Sequence, residues 1–323
     1  MARHGAKALT FALAFGILAN AASAQETTLS ALNFIPNNQA FGAPLVEFVD
    51  EVNRDGRGLI KIDIKPFGAI PVFEMGNAIK TGVADLANLP ATFYQNLLPV
   101  GEAIKLMTKP PEEFRRNGGF EFYNKLHHDR VNAEVLGLYG FGADFHLYLR
   151  DKPIAKADLT GLKLRVTPIY RAHFRALGAQ IVVLPPPEVQ AALERGIVDG
   201  YGWPLWDIKG PGWERYTKYR VEPGFYQVIG GFIMNLDKWK SLRSDQRQFL
   251  ARKGEEYERN FKGNAAAKNT RFAKEQADAG VQVIRLAGAE ADKFLKTAYD
   301  AGWEEHLKAD PENAAKLRKF ISN

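Results

Sequence analysis

The chain contains no cysteine. That excludes disulfides, thiolate metal sites, a cysteine nucleophile and a lipid-modified N-terminal cysteine. It also lacks a basic block. The formal charge of +6 is the small excess of 43 Lys and Arg over 37 Asp and Glu. The two signs are interleaved, without the cationic stripe that nucleic-acid binding uses. Beyond the first two dozen residues no apolar run is long enough to span a bilayer. There is no Gly-x-Ser-x-Gly elbow, phosphate-binding glycine loop or zinc-protease motif. The missing nucleophile system argues against hydrolysis. His127 and His128 are adjacent, so on a helix they face different directions and make a poor chelate. They are expected on the surface, and His146 and His173 have no ligand spacing. No metal and no cofactor are expected.

What is present is an ordinary globular composition, 46% hydrophobic and 25% charged over 323 residues, of a length that suggests two domains. The start reads as an export signal. Arg3, His4 and Lys7 precede an apolar run from Ala8 to Ala19, and Ala22-Ser23-Ala24 offers small residues for cleavage before Gln25. Residues 1–24 are thus expected to be removed, leaving a soluble chain with no membrane insertion.

Strand-like and helix-like segments then alternate, the pattern of an α/β fold with largely parallel sheets. Thr27–Ile35 is extended. Residues 41–52 place Phe41, Leu45, Phe48, Val49 and Val52 on one helical face. Ile60 to Lys65 alternates as a half-buried strand. Further strands are expected at Glu134–Tyr139, His146–Arg150, Leu162–Thr167, Gln180–Leu184 and Val281–Leu286.

One segment occurs twice. Residues 74–85, EMGNAIKTGVAD, resemble residues 188–199, EVQAALERGIVD, at a constant offset of 114. Glu74 and Glu188 fall in the first helical turn, where the helix dipole favours a carboxylate. Gly82 and Gly196 can end each helix in a left-handed conformation. Val83-Ala84-Asp85 and Ile197-Val198-Asp199 are expected to enter the sheet as short strands. Two such units suggest two similar domains facing each other across a cleft.

The stretch from Asp158 to Pro204 carries a family resemblance. It contains Asp158-Leu159-Thr160-Gly161-Leu162-Lys163-Leu164-Arg165-Val166, then Leu177-Gly178-Ala179, Leu184-Pro185, and Glu188 to Gly200. It resembles the substrate-binding subunit of tripartite ATP-independent periplasmic (TRAP) transporters, of the dicarboxylate-binding type. The resemblance extends more loosely over nearly the whole chain after the signal.

It implies a two-lobed clam-shell with a long helix crossing both lobes, here from Ser244, a good N-cap, toward Ala277. Lobe I is expected to hold residues 25–145 and about 235–273. Lobe II is expected to hold residues 146–234 and about 274–323. The resemblance also implies a periplasmic protein, not an enzyme, that hands an organic acid to small and large membrane subunits. A different importer, or a periplasmic enzyme on the same fold, is the alternative.

The family arginine that pairs with a ligand carboxylate matches Arg165. A guanidinium presents planar paired donors to a carboxylate and stays charged when desolvated. After the Asp-Gly pair, many members continue with polar residues. This chain has Tyr201-Gly202-Trp203-Pro204 instead. A 2-oxo-acid branch carries Glu-Trp here and uses the glutamate to hold a metal. Trp203 matches the tryptophan, and Gly202 replaces the carboxylate. The position of a second family arginine falls on Phe145. The ligand-binding candidates are therefore Arg165, Trp203, Phe145 and Tyr201. Phe34 and Phe93 join them after strand-like segments, where α/β clefts bind ligands; core packing is their alternative. Glu74 either contacts ligand or only caps its helix. One cation with an aromatic wall suits a monocarboxylate with an apolar or aromatic body.

Overall fold

A computed structural model of the chain describes residues 26–322. The expected signal segment lies outside the described residues. The first unit consists of β1 (Thr27–Asn33), α1 (Ala43–Asp55), β2 (Ile60–Ile64), α2 (Met75–Lys80) and β3 (Leu86–Asn88). After it come α3 (Pro111–Arg116), α4 (Gly119–Val131), β4 (Ala133–Tyr139) and β5 (Asp144–Leu149). The second unit consists of β6 (Lys163–Val166), α5 (Arg171–Ala176), β7 (Gln180–Val183), α6 (Val189–Glu194) and β8 (Gly200–Pro204). The chain continues through β9 (Tyr219–Gln227), β10 (Gly230–Asn235), α7 (Leu236–Ser241), α8 (Ser244–Gly263), α9 (Ala265–Asp278), β11 (Gln282–Arg285), α10 (Ala289–Ala309) and α11 (Pro311–Ile321).

Two sheets form the cores of two lobes. Their strand orders are β2-β1-β3-β10-β4 and β11-β9-β5-β8-β6-β7. In each, a central strand runs parallel to two neighbours of its own unit: β1 to β2 and β3, β6 to β7 and β8. An antiparallel strand then joins each parallel trio, β10 beside β3 and β5 beside β8. The doubled sequence is therefore a doubled topology.

The repeated residues hold equivalent positions. Turns at Val72–Glu74 and Pro186–Glu188 lead into α2 and α6. Gly82 and Gly196 end these helices at φ of +74° and +65°, where a side chain would be strained. The residues expected as strands, 83–85 and 197–199, instead complete the turns, and the strands start at Leu86 and Gly200. The reason lies in Asp85 and Asp199. Asp85 Oδ2 accepts the Ser30 backbone N–H at 2.8 Å, and Asp199 Oδ2 accepts that of Lys163 at 2.8 Å. Each carboxylate thus ties the turn to the central strand one residue before its pairing with β3 or β8 begins, in place of the ladder bond a longer strand would make.

The apolar stripe on α1 is as the sequence suggests: Leu45, Phe48, Val49 and Val52 are buried. Phe48 stacks on Phe232 of β10 at 4.6 Å between ring centroids. Phe41 precedes the helix rather than belonging to it.

The long crossing helix begins at Ser244 as expected but is interrupted at Asn264 and resumes as α9. Gly263-Asn264 is a weak helix-forming pair. The two halves serve different sheets. In α8, Gln246 Nε2 donates to Thr27 Oγ1 and to Leu59 O, beside the first sheet. In α9, Gln276 Nε2 donates to Leu205 O at 2.7 Å and to the Tyr148 hydroxyl, beside the second.

Candidate ligand-binding site

The C-terminal ends of the parallel strands in both units face one cavity. Loops at such ends are where α/β sheets place ligands. Phe34 follows β1, and Pro90, Thr92 and Phe93 follow β3. Phe41 and Tyr139 complete the first-lobe side. From the second sheet come Phe145 of β5, the segment after β6 (Thr167, Ile169 and Tyr170), and Trp203 and Pro204 of β8. Val228, Ile229 and Gly230 close the cavity where β9 passes into β10.

The wall is mostly rings. Phe34 and Phe93 lie 5.4 Å apart between centroids, and Phe145 and Tyr170 lie 5.5 Å apart. Phe41 reaches across the lobes to meet Trp203 edge-on at 6.1 Å and to stack on Trp206 at 5.6 Å. A buried amide network supports the first-lobe side. Asn88 Nδ2 donates to Asn33 Oδ1 and to Phe41 O. Asn88 Oδ1 accepts the Tyr139 hydroxyl at 2.6 Å.

Four of the seven candidates, Phe34, Phe93, Phe145 and Trp203, come together in this wall. Arg165 stands one side chain behind it and is fully buried. Its Nε and Nη2 donate to Leu184 O at 2.9 and 2.7 Å, and its Nη1 donates to the Tyr170 hydroxyl at 3.1 Å. The guanidinium also lies 5.8 Å from the Trp203 ring and 5.9 Å from that of Trp213. Tyr170 and Trp203 are wall residues, so Arg165 is in direct contact with the cavity lining. It forms no ion pair among the described residues, and burial pushes its pKa down from the ordinary value. A cation held out of water by neutral acceptors alone is costly.

Two candidates lie elsewhere. Tyr201 is on the same strand face as Trp203 but two residues nearer the strand start, one period of the pleat below the cavity. Its ring stacks on Tyr148 at 5.0 Å, and its hydroxyl meets Thr217 Oγ1. Glu74 is exposed at the start of α2, where its carboxylate accepts Asn77 Nδ2 and makes no cap bond.

At Gly202 the structure explains the missing side chain. A Cβ there would lie 2.4–2.7 Å from three atoms of the Tyr170 ring. The Tyr170 hydroxyl donates to Gly202 O. Tyr170 therefore fills the space a carboxylate at 202 would enter. No group of three or more His, Asp or Glu among the described residues is arranged to hold a metal ion. His127, expected on the surface, is instead wholly buried between the Tyr94 hydroxyl and Tyr123 O. It occupies the inward face of α4, and burial pushes its pKa down to about 4.

Sequence reasoning missed Phe41, Thr92, Tyr139, Thr167, Ile169, Tyr170 and Val228–Gly230. The rule that found Phe34 and Phe93 would also find Thr167–Tyr170, because they too follow a parallel strand. Val228–Gly230 carry no such signal. Pro223 and Gly224 interrupt the alternation of β9, and Gly230-Gly231 reads as a turn.

The family model of bacterial extracellular solute-binding protein, family 7 (DctP), matches residues 33–310. A solute-binding protein of Roseobacter denitrificans is 23% identical over 90% of this chain and 92% of its own length. A monocarboxylate 2-oxoacid-binding periplasmic protein of Nostoc is 22% identical over 59% of this chain and 55% of its own. Among solved structures, a TRAP periplasmic solute-binding protein of Desulfovibrio salexigens with bound orotic acid superposes with a TM-score of 0.81. It is 20% identical and covers 91% of this chain and 97% of its own. A marine-metagenome TRAP solute-binding protein specific for aromatic acids, crystallised with 3-hydroxybenzoate, gives 0.79 at 22% identity over 92% and 97%. With the doubled unit, the two-lobed fold and a match over most of its length, this chain belongs to the bacterial extracellular solute-binding proteins of family 7.

Proposed function

We propose that the protein captures a monocarboxylate with an apolar or aromatic body and delivers it, chemically unchanged, to the small and large membrane subunits of a TRAP transporter. The observation that carries this reading is one buried arginine, with no ion pair among the described residues, directly behind a cavity walled by rings. A single carboxylate at the Arg165–Tyr170 end satisfies the one cation. A second carboxylate would face Phe34, Phe93 and Phe145 and lose its hydration without a partner. Bound orotate and 3-hydroxybenzoate in the two structural neighbours are in keeping with this class. Lobe I is taken as residues 25–145 with about 235–273, and lobe II as 146–234 with about 274–323. In this division α11 leans back on lobe I, through Asn117 Nδ2 to Phe320 O.

Calorimetry over a panel of mono- and dicarboxylates tests the proposal. Arg165→Ala should weaken the best ligand by about 2–5 kcal/mol, the usual cost of breaking a desolvated charge pair. Arg165→Lys should not restore it, because an ammonium cannot reproduce paired donors. Near-native affinity in Arg165→Ala would remove Arg165 as the anchor. A wild-type preference for succinate would sink the monocarboxylate reading, and a chemically altered ligand recovered by mass spectrometry would favour an enzyme.

A further inference from the structure

The cavity wall carries few hydroxyls, and two of them are committed. Tyr139 donates to Asn88 Oδ1 and also lies 3.3 Å from Phe41 O. Tyr170 lies between Arg165 Nη1 and Gly202 O. Thr92 differs. It is 4% exposed, and its Oγ1 is buried with no hydrogen-bond partner. It sits in the short turn Ala91–Tyr94 after β3, where a threonine hydroxyl would ordinarily bond to a nearby backbone carbonyl. Of the buried side-chain polar atoms without a partner among the described residues, Thr92 Oγ1 alone belongs to this wall.

A buried hydroxyl with no partner is a cost that valine, of nearly the same shape, would avoid. Its presence makes sense if something entering the cavity completes it. Thr92 belongs to the first-lobe wall and the Arg165–Tyr170 pair to the second. A ligand held between the two walls lies beside Thr92.

We infer that Thr92 is a specificity-determining residue whose hydroxyl hydrogen-bonds a polar substituent on the ligand body, so that the ligand class is hydroxy-, oxo- or lactam-substituted acids rather than plain hydrocarbon acids. The assignment of the ligand's two ends rests on the proposed monocarboxylate reading. A site built to bond a polar group rejects the analogue that lacks it, because the protein hydroxyl is then left unpaired.

The test compares dissociation constants within matched pairs: 3-hydroxybenzoate and benzoate, pyroglutamate and cyclopentanecarboxylate, malate and succinate. Wild type should prefer the polar member of at least one pair by about tenfold or more. Thr92→Val, checked for native circular dichroism, should reduce that preference to near unity mainly by weakening the polar member. Thr92→Ser should keep it. A preference unchanged in Thr92→Val, or a wild type that favours the hydrocarbon members, overturns the inference. If only malate and succinate bind and Thr92→Val weakens malate alone, the monocarboxylate reading fails and the role of Thr92 stands. If no member binds wild type, both fail.

Discussion

The two parallel units share one scaffold and do opposite things with it. In the first, β1 and β3 pair Ala31 with Leu86, Leu32 with Ala87 and Asn33 with Asn88. In the second, β6 and β8 pair Leu164 with Gly200 and Arg165 with Tyr201. Because the flanking turns and helices coincide at the offset of 114, Leu86 corresponds to Gly200. Arg165 then stands where the first unit has Leu32, and Gly202 stands where it has Asn88. The first unit uses its strand ends for an internal amide network that holds Phe41 and Tyr139. The second puts a cation into the strand and removes a side chain beside it, so that Tyr170 can pack close. Duplication supplied the frame, and the charge that can recognise an anion sits on one side only.

The strongest way to break this comparison is to exchange the meaning of positions 88 and 202. Asn88→Ala should cost about 3 kcal/mol, since it leaves the buried Tyr139 hydroxyl with only a 3.3 Å contact to Phe41 O and strips a donor from Asn33. Gly202→Ala should cost about 1–3 kcal/mol for the opposite reason, overpacking against Tyr170. Combining Gly202→Ala with Tyr170→Ala should be less damaging than the sum of the two single changes. Urea denaturation measures all four. Strict additivity would show that Gly202 does not exist for Tyr170, and a neutral Asn88→Ala would show that the amide network is idle.

The sequence made the α/β class, the doubling and the aromatic character of the cleft legible, because each is written in local pattern: period-2 strands, Gly82 and Gly196 after helices, rings after strand ends. The start of α8 at Ser244 was legible for the same reason. What stayed hidden is set by distance in the chain. That Arg165 lies behind the wall depends on Tyr170 and Gly202, 32 residues apart in a contact no spacing rule anticipates. That Tyr201 points below the cavity depends on where β8 ends. His127 was misplaced because adjacency in sequence says only that two side chains diverge, and the inward one is decided by Tyr94 and Tyr123.

Buried histidines offer a second, smaller test: burial lowers the pKa of His127 in the first lobe and of His146, His173 and His306 in the second, and one from each lobe is compared. Burial pushes His127, in the first lobe, and His146, in the second, down to about 4. A hydrogen bond to a backbone carbonyl partly opposes this in each: Tyr123 O for His127 and Val221 O for His146. The folded-state values are below the ordinary 6.5, so between these limits the unfolded chain binds more protons. Stability is fully present above pH 6.5 and falls as the pH is lowered toward 4. From pH 7.5 to 5.5 each should remove about 1 kcal/mol. His127→Gln and His146→Gln should each flatten the pH slope by a similar amount. A slope that one change flattens and the other leaves alone would mean that the lobes do not share the acid sensitivity.

The smallest effect is the sharpest test of equivalence. Both units end their helix with the same pair of backbone bonds. Val83 N donates to Ala78 O at 2.9 Å and Gly82 N to Ile79 O at 3.2 Å; Ile197 N donates to Ala192 O at 2.9 Å and Gly196 N to Leu193 O at 3.1 Å. Each closure requires a left-handed residue after the helix. An alanine at either position should therefore cost about 1–2 kcal/mol from backbone strain alone. The surroundings differ little. A Cβ at 82 meets nothing nearer than Asn235 Nδ2 at 3.7 Å, and one at 196 meets only the end of the flexible Arg150 side chain at 3.0 Å. Gly82→Ala and Gly196→Ala should then shift the urea midpoint almost equally, Gly196→Ala slightly more, with ligand affinity unchanged in both because neither glycine touches the cavity. If one substitution were neutral while the other cost its full strain, the two helix ends would not be energetic equivalents, and the match at an offset of 114 would be a likeness of sequence and not of function in the fold.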